Sequence, residues 1–279
     1  MPSPEEKEDG MMPRGAGLEP EVRPGDRDRM FVTALARGLD VLRAFGGADR
    51  TLGNQDIARK TGLPKATVCR MTHTLTELGY LRADEATGKY RLDIGVLSLG
   101  YSALSSLDFR EVARPFMQTL ALETDASVSM GRRHRAAMVY VETARGRGPL
   151  KLNLEVGSRI PLGTTSMGKA WFAVAPEADR TEAMDLLKAR HGADWPAVRK
   201  EIENGMRDHA TLGFTQTTGA WQSTIHSVGR AILLSGGRGV LSFNCGAPAL
   251  VMPADRLAAD FGPRLVETVG RIEASLARR

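Results

Sequence analysis

The chain has 279 residues, of which 42% are apolar and 25% charged, with a formal net charge of +5 and a pI near 9.4. That length suffices for two ordinary domains with real cores, and no run of about 18 apolar residues is present to span a membrane. Cys69 and Cys245 are the sole cysteines, which excludes a disulfide framework or a thiolate-rich zinc site and suits a reducing cytoplasm.

No basic segment followed by an apolar one opens the chain, so no secretory signal is expected. Residues 1–29 hold five Pro, four Gly, eight acidic and five basic residues and almost no large apolar ones. Such a stretch buries too little surface to offset its ordering entropy and reads as a disordered tail. Residues 31–92 reverse the charge, with ten basic and six acidic residues. Leu35, Leu39, Leu42 and Phe45 recur there at helical spacing, and Gly46-Gly47 is expected to end that helix. A second helix is predicted over 54–60, with Ile57 and Ala58 facing inward. Thr61-Gly62-Leu63 forms a tight turn, and Pro64 suits the first position of a third helix, where its missing N–H costs nothing. That helix continues to Leu78, and Gly79 stops it. Tyr80-Leu81-Arg82 and Lys89-Tyr90-Arg91-Leu92, joined by a polar, glycine-containing loop, read as a hairpin. Helix, helix, tight turn, helix and hairpin, in that order, give a winged helix-turn-helix over residues 31–92.

On the third helix Val68, Met71, Leu75 and Leu78 form the stripe expected to face the core. Ala66, Arg70, His73 and Glu77 lie opposite, flanked by Thr67 and Thr74. A recognition helix brings its N-terminal residues closest to base edges, so a small residue such as Ala66 permits close approach. Arg70 can donate two hydrogen bonds to guanine, and Thr67 can reach a phosphate, a base or a thymine methyl. Lys65 is long enough to reach a phosphate, and Arg82, Lys89 and Arg91 of the hairpin would face the backbone beside the groove. The DNA-binding set is therefore Lys65, Ala66, Thr67, Arg70, His73, Thr74, Arg82, Lys89 and Arg91. For the helix alone, a plain amphipathic helix with a solvated polar face is the favoured reading. The whole ordered arrangement with its positive surplus favours double-stranded DNA. Cys69 reads as packing, and His73 as a surface residue rather than a metal ligand.

A linker helix is predicted over 93–107, carrying Ile94, Leu97, Leu99, Tyr101, Leu104 and Leu107. Residues 108–277 read as one α+β domain with a mostly antiparallel sheet. It begins with a helix over 109–124, whose apolar residues include Val112, Phe116 and Leu120. Strands are predicted at 126–130, 137–143, 150–154, 227–233 and 239–245, and helices at 168–174, 177–190, 197–209 and 254–276. No internal repeat is present.

Taken together, "ALARGLDVLRAF" and "DIARKTGLPKATVCRMTHTLTELGYLRADEATGKYRL" closely resemble the DNA-binding half of IclR-type bacterial transcription regulators. The second half agrees through "FREVARPFMQTLALETDASV", "VGSRIPLGTTSMGKAWFA" and "HATLGFTQTTGAWQSTIHSVGRAI". The resemblance covers 31–277 and both halves fit it in order. It implies a homodimer or dimer of dimers on partly palindromic operators, and a GAF-like α/β effector-binding domain that senses a small molecule, often an organic or aromatic acid. Effector binding would set operator affinity, in repression or activation. The alternative is a ligand-sensing domain acting mainly through protein partners; Arg70 and the unbroken core stripe of the third helix speak against it.

The resemblance also places the effector site. It falls on the turn Thr165-Ser166-Met167-Gly168, where a helix N-terminus suits a carboxylate. The family's usual Asp falls on Thr217 and its usual Cys on Ser227, and two usual Ser positions fall on Asn244 and Gly246. With Trp221 and Ile225 this completes the implied set: Ser166, Met167, Gly168, Thr217, Trp221, Ile225, Ser227, Asn244 and Gly246. The loss of Asp and Cys and the presence of Trp221 point away from the small keto acids of the founding members, toward a larger or aromatic carboxylate. Trp221 is equally readable as a core aromatic.

Catalysis is not expected. Ser166-Met167-Gly168-Lys169 is an S-x-x-K tetrad, but S-D-N is missing, as are a G-x-S-x-G elbow and a phosphate-binding glycine loop. His73, His134, His191, His209 and His226 never stand in H-x-x-x-H spacing, so no metal and no cofactor is predicted. His226 lies near the implied site and either pairs with a carboxylate there or serves structure.

Overall fold

A computed structural model describes residues 30–46, 49–148 and 154–278. The predicted tail, Gly47 and most of the strand expected at 150–154 lie outside the described residues. The chain forms two units, one ending at Ser106 and one beginning at Leu107.

In the first unit α1 (Thr33–Arg43), α2 (Asn54–Thr61) and α3 (Lys65–Glu77) precede β1 (Leu81–Asp84), β2 (Lys89–Leu92) and α4 (Ile94–Ser105). This is the expected winged helix-turn-helix. Gly62 ends α2 in the left-handed region at φ 69°, which a side chain there would resist. The Pro64 carbonyl accepts the first α3 hydrogen bond from Val68 N–H at 3.0 Å, so Pro64 is the cap residue, one place earlier than expected. A bridge between Leu52 and Tyr90 ties the segment before α2 to the hairpin. Val41, Phe45, Leu52, Ile57, Leu63, Val68, Leu75 and Leu81 close the core.

Three sequence expectations fail in this unit. Leu78 is 62% exposed, because α3 ends at Glu77 and the chain turns away toward β1. Thr72 takes the buried place, its hydroxyl 3.1 Å from both Asn54 Oδ1 and the Val68 carbonyl. Leu35 and Leu39 lie on the outer side of α1, where Val41 alone is fully buried. Cys69 is exposed rather than packed, with Asn54 Nδ2 3.3 Å from its sulfur.

The second unit is a six-stranded, wholly antiparallel sheet in the order β5-β4-β3-β8-β7-β6. Its strands are β3 (Ser127–His134), β4 (Ala137–Arg145), β5 (Arg159–Pro161), β6 (Thr215–Thr218), β7 (Ile225–Leu234) and β8 (Gly239–Pro248). The short edge strands β5 and β6 escape a sequence reading because three or four residues carry no clear period. α5 (Phe109–Thr124) and α10 (Gly262–Leu276) cover one face. α6 (Ser166–Val174) covers the other, backed by α7 (Glu177–His191) and α8 (Trp195–Leu212). The stripe of α5 is Phe109, Ala113, Met117 and Leu120, so Val112 and Phe116 are half-buried beside it. The helix expected over 254–276 is interrupted: α9 (Ala254–Arg256) runs into a π-helical turn at Leu257–Phe261 before α10.

Strand register sorts the two faces. Val128, Met130, Cys245, Phe243, Val228 and Ile232 alternate with the residues beneath α6 and are all buried. Beneath the body of α6 lie Met138, Tyr140, Ile160 and Val240, large and mostly apolar, with the small Ala231 and its partner Ser242 between them. Beneath its N-terminal end lie Ser129, Asn244, Gly246, Ser227, Gly229, Thr215 and Thr217, small or polar. The α6 backbone descends onto glycine there: a Cβ on Gly168 would overlap the Leu162 carbonyl, and one on Gly229 the Ser166 carbonyl. Both obstacles are backbone and cannot swing aside. Gly168→Ala is expected to destabilise the second unit by about 1–3 kcal/mol, as overpacking does. Urea unfolding followed by circular dichroism checks it, and an unchanged midpoint would mean that the Leu162 backbone gives way to the added methyl.

Candidate nucleic-acid interface and effector site

On α3, Lys65, Ala66, Arg70, His73 and Thr74 are exposed and Thr67 is half-buried. The expected polar face therefore stands clear of the core. Thr74 spends its hydroxyl proton on the Arg70 carbonyl at 3.0 Å, which leaves its methyl as the outward group. Sequence reasoning missed Asn54. Its side chain touches both Thr72 and Cys69, and so ties α2 to α3. An Asn opening a helix carries no signal that separates this strap from an ordinary polar residue.

The hairpin register pairs Arg82 with Arg91 and Asp84 with Lys89. Because side chains alternate, all four lie on one face, with Leu81, Ala83, Tyr90 and Leu92 on the other. Two arginines directly opposite repel each other, and an anionic strand removes that penalty. Asp84 on the same face is held low by hydrogen bonds from Thr87 and Ala86, with a smaller part from Arg91, so it stays charged and serves the turn.

At the other site, Thr165 caps α6, its hydroxyl accepting from Gly168 N–H at 3.2 Å and donating to the Pro161 carbonyl at 2.7 Å. Ser166 and Ser227 hydroxyls meet at 2.7 Å in the interior and join α6 to β7. Asn244 Nδ2 donates to the Tyr140 hydroxyl at 3.2 Å, and Ser129 meets Thr143 at 3.2 Å. Burial pushes the Tyr140 phenol up to about 12, so it stays neutral at physiological pH. Asn244 Oδ1, Ser242 Oγ and Thr217 Oγ1 are buried on this same face with no partner.

Most of the implied effector residues thus converge, but not all in one role. Ser166, Ser227, Asn244 and Gly246 share the polar end of the face, where β7 and β8 pair Ser227 with Gly246. Met167 instead packs into the apolar cluster under α6, against Gly131, and Gly168 offers only its backbone. Trp221 is half-buried against that same cluster. Ile225 is half-buried at the start of β7. Thr217 also lines a separate polar cavity with Lys169, Glu201 and Asp208. The S-x-x-K pattern dissolves: Ser166 bonds Ser227, whereas Lys169 pairs with Glu201 at 3.2 Å. His226 is committed to the Met252 carbonyl at 2.9 Å. Among the described residues no group of three or more His, Cys, Asp or Glu side chains is arranged to hold a metal.

Residues 34–85 match the IclR helix-turn-helix domain family, and residues 101–204 match the C-terminal domain family of bacterial IclR transcriptional regulators. The HTH-type transcriptional regulator TsaQ1/TsaQ2 of Comamonas testosteroni is 32% identical over 248 residues, covering 88% of this chain and 89% of the relative. The chain belongs to the IclR family of transcriptional regulators. Family members regulate transcription and are not enzymes. A crystal structure of an IclR-family regulator from Brucella abortus is 45% identical, with TM-score 0.81 over 92% of this chain and 97% of that one. An IclR homologue from Microbacterium hydrocarbonoxydans complexed with 4-hydroxybenzoate shares the fold at 22% identity, with TM-score 0.67 over 88% of this chain and all (100%) of that one.

The Ser166–Ser227 bond makes a measurable claim about this IclR chain. Ser227→Ala or Ser166→Ala alone leaves a buried hydroxyl unpaired and is expected to cost about 1–3 kcal/mol. The double variant is expected to lose less than the two single losses added, because no orphan remains. Additive losses in urea unfolding would mean that the two hydroxyls do not depend on each other.

Proposed function

We propose that this IclR-family protein is a cytoplasmic operator-binding homodimer, or dimer of dimers, whose DNA affinity is set by an organic or aromatic acid held at the polar end of the α6 face. The observation that carries the acid site is Asn244 Oδ1, buried without a partner on the residue paired with Gly229, against which the Ser166 carbonyl at the start of α6 rests. Buried polar atoms are normally paired, and a ligand is the missing partner this reading supplies. The carboxylate goes to the helix N-terminus, where N–H groups and the dipole favour an anion. The body of the ligand lies toward Trp221. The fold itself accommodates an aromatic acid, as the Microbacterium homologue holds 4-hydroxybenzoate.

DNA recognition rests on Arg70 and Thr67 for base choice and on Lys65, Arg82, Lys89 and Arg91 for phosphates. The second copy is supported by α4. It has no buried residue, and it exposes Ile94, Leu97, Leu99 and Tyr101, each at least 59% accessible. An apolar helix left bare in one chain calls for a partner surface. The outer Leu35 and Leu39 of α1 add to the apolar surface. A dimer then places two recognition helices about 34 Å apart in successive major grooves.

Arg70→Ala is expected to weaken binding to an operator selected from random DNA by about 1–3 kcal/mol, with a smaller loss on unrelated duplex. Fluorescence anisotropy on both duplexes decides this, and equal losses would reduce Arg70 to a phosphate contact. Leu97→Glu is expected to shift sedimentation from dimer toward monomer and to lower operator affinity on the order of tenfold. A dimer of undiminished stability would place the interface elsewhere.

A further inference from the structure

Beside the acid site the second unit holds a cavity of about 430 Å³, walled by α6, α8, β6 and the π-helical turn. Its chemistry differs from that of an acid pocket. Lys169 of α6 is 3% exposed and reaches Glu201 at 3.2 Å. Arg207 and Asp208 face the same space. Two cations and two carboxylates leave its formal charge balanced. Around them stand the neutral groups of Asn204, Gln216 and Thr218, and the Thr217 hydroxyl, buried and without a partner.

Two further features show that the cavity is built rather than left over. Gly205, inside α8, lies against the Lys169 stem: a Cβ there would come within 2.5 Å of Lys169 Cβ. Glycine inside a helix is unfavourable relative to alanine, so helix propensity gives way to seating this lysine. Asp208 carries a carboxyl raised by burial, despite Lys169 and a Gln216 hydrogen bond that lower it. That carboxyl gains from a donor brought by a guest.

We propose that this cavity is a second ligand site, distinct from the acid site, and that it takes an uncharged polyhydroxylated molecule of about monosaccharide size. The volume lies in the ordinary range for small-molecule sites. A carboxylate entering it would meet Glu201 and Asp208, and an amine would meet Lys169 and Arg207. Adjacent hydroxyls satisfy both sets at once, donating to Asp208 and Glu201 and accepting from Lys169 and Arg207. A further hydroxyl pairs with Thr217. Lys169 stands one helical turn after Ser166, so α6 carries a residue of each site.

The test is titration calorimetry on the full chain without DNA, which keeps its outcome independent of operator binding and of the acid response. The probes are glucose, xylose, sorbitol and myo-inositol, with glutamine as a zwitterion and benzoate as an anion. One of the four polyhydroxylated probes is expected to bind once per chain. Thr217→Val and Asp208→Asn, both nearly isosteric, are each expected to weaken it about tenfold or more with melting midpoints held. Saturating benzoate is expected to leave a site for that probe. No heat from any of the four, binding that neither variant weakens, or binding of glutamine alone overturns the proposal. Competition by benzoate would also overturn it, by merging the two sites into one.

Discussion

The second unit turns on the descent of α6 onto the sheet. Gly229 removes the side chain that would hold the helix off, Gly168 lets its first turn close on the Leu162 carbonyl, and the Ser166–Ser227 bond joins it to β7. Thr215 adds a bond from its hydroxyl to the Ser166 carbonyl at 2.6 Å. Backbone this close to backbone cannot adjust by side-chain motion. The helix N-terminus is therefore held at one height over β7 and β8. Ser166, Ser227 and Thr215 are positioned by that contact.

The same contact divides one sheet face into two environments. Large apolar residues fill it under the body of α6, and small polar ones remain under its start. The opposite face is close-packed against α5 and α10, where burial pushes the Cys245 thiol up to about 12 and leaves it inert. In the first unit the analogous constraint is smaller: Asn54 holds Thr72 and sets α3 against α2.

The legible parts of the chain were those with a strong period or a backbone exception. The helices α2, α3, α5 and α8, and the long strands β3, β4, β7 and β8, were readable because several residues repeated one pattern. Gly62 and Gly79 marked turns correctly because the backbone there needs positive φ. Leu78 was misplaced because hydrophobicity continued past the point where the helix ended. Thr72 was missed because a buried hydroxyl depends on Asn54, 18 positions away. The acid-site residues came by resemblance, and residue type alone could not separate Met167, which packs, from Ser166, which bonds across to the sheet. The cavity of Lys169 was invisible to any local pattern, since its walls come from helices and a strand far apart in sequence.

The central claim is that one chain reads an operator and answers to an acid. A DNase footprint over the DNA upstream of its own gene and its divergent neighbour, run at two salt concentrations with and without aliphatic and aromatic acids, tests both halves together. The account predicts a discrete footprint with dyad symmetry that weakens as salt rises and is altered by one acid, larger than two or three carbons. Diffuse protection lost at modest salt, or a footprint indifferent to every acid, would contradict it.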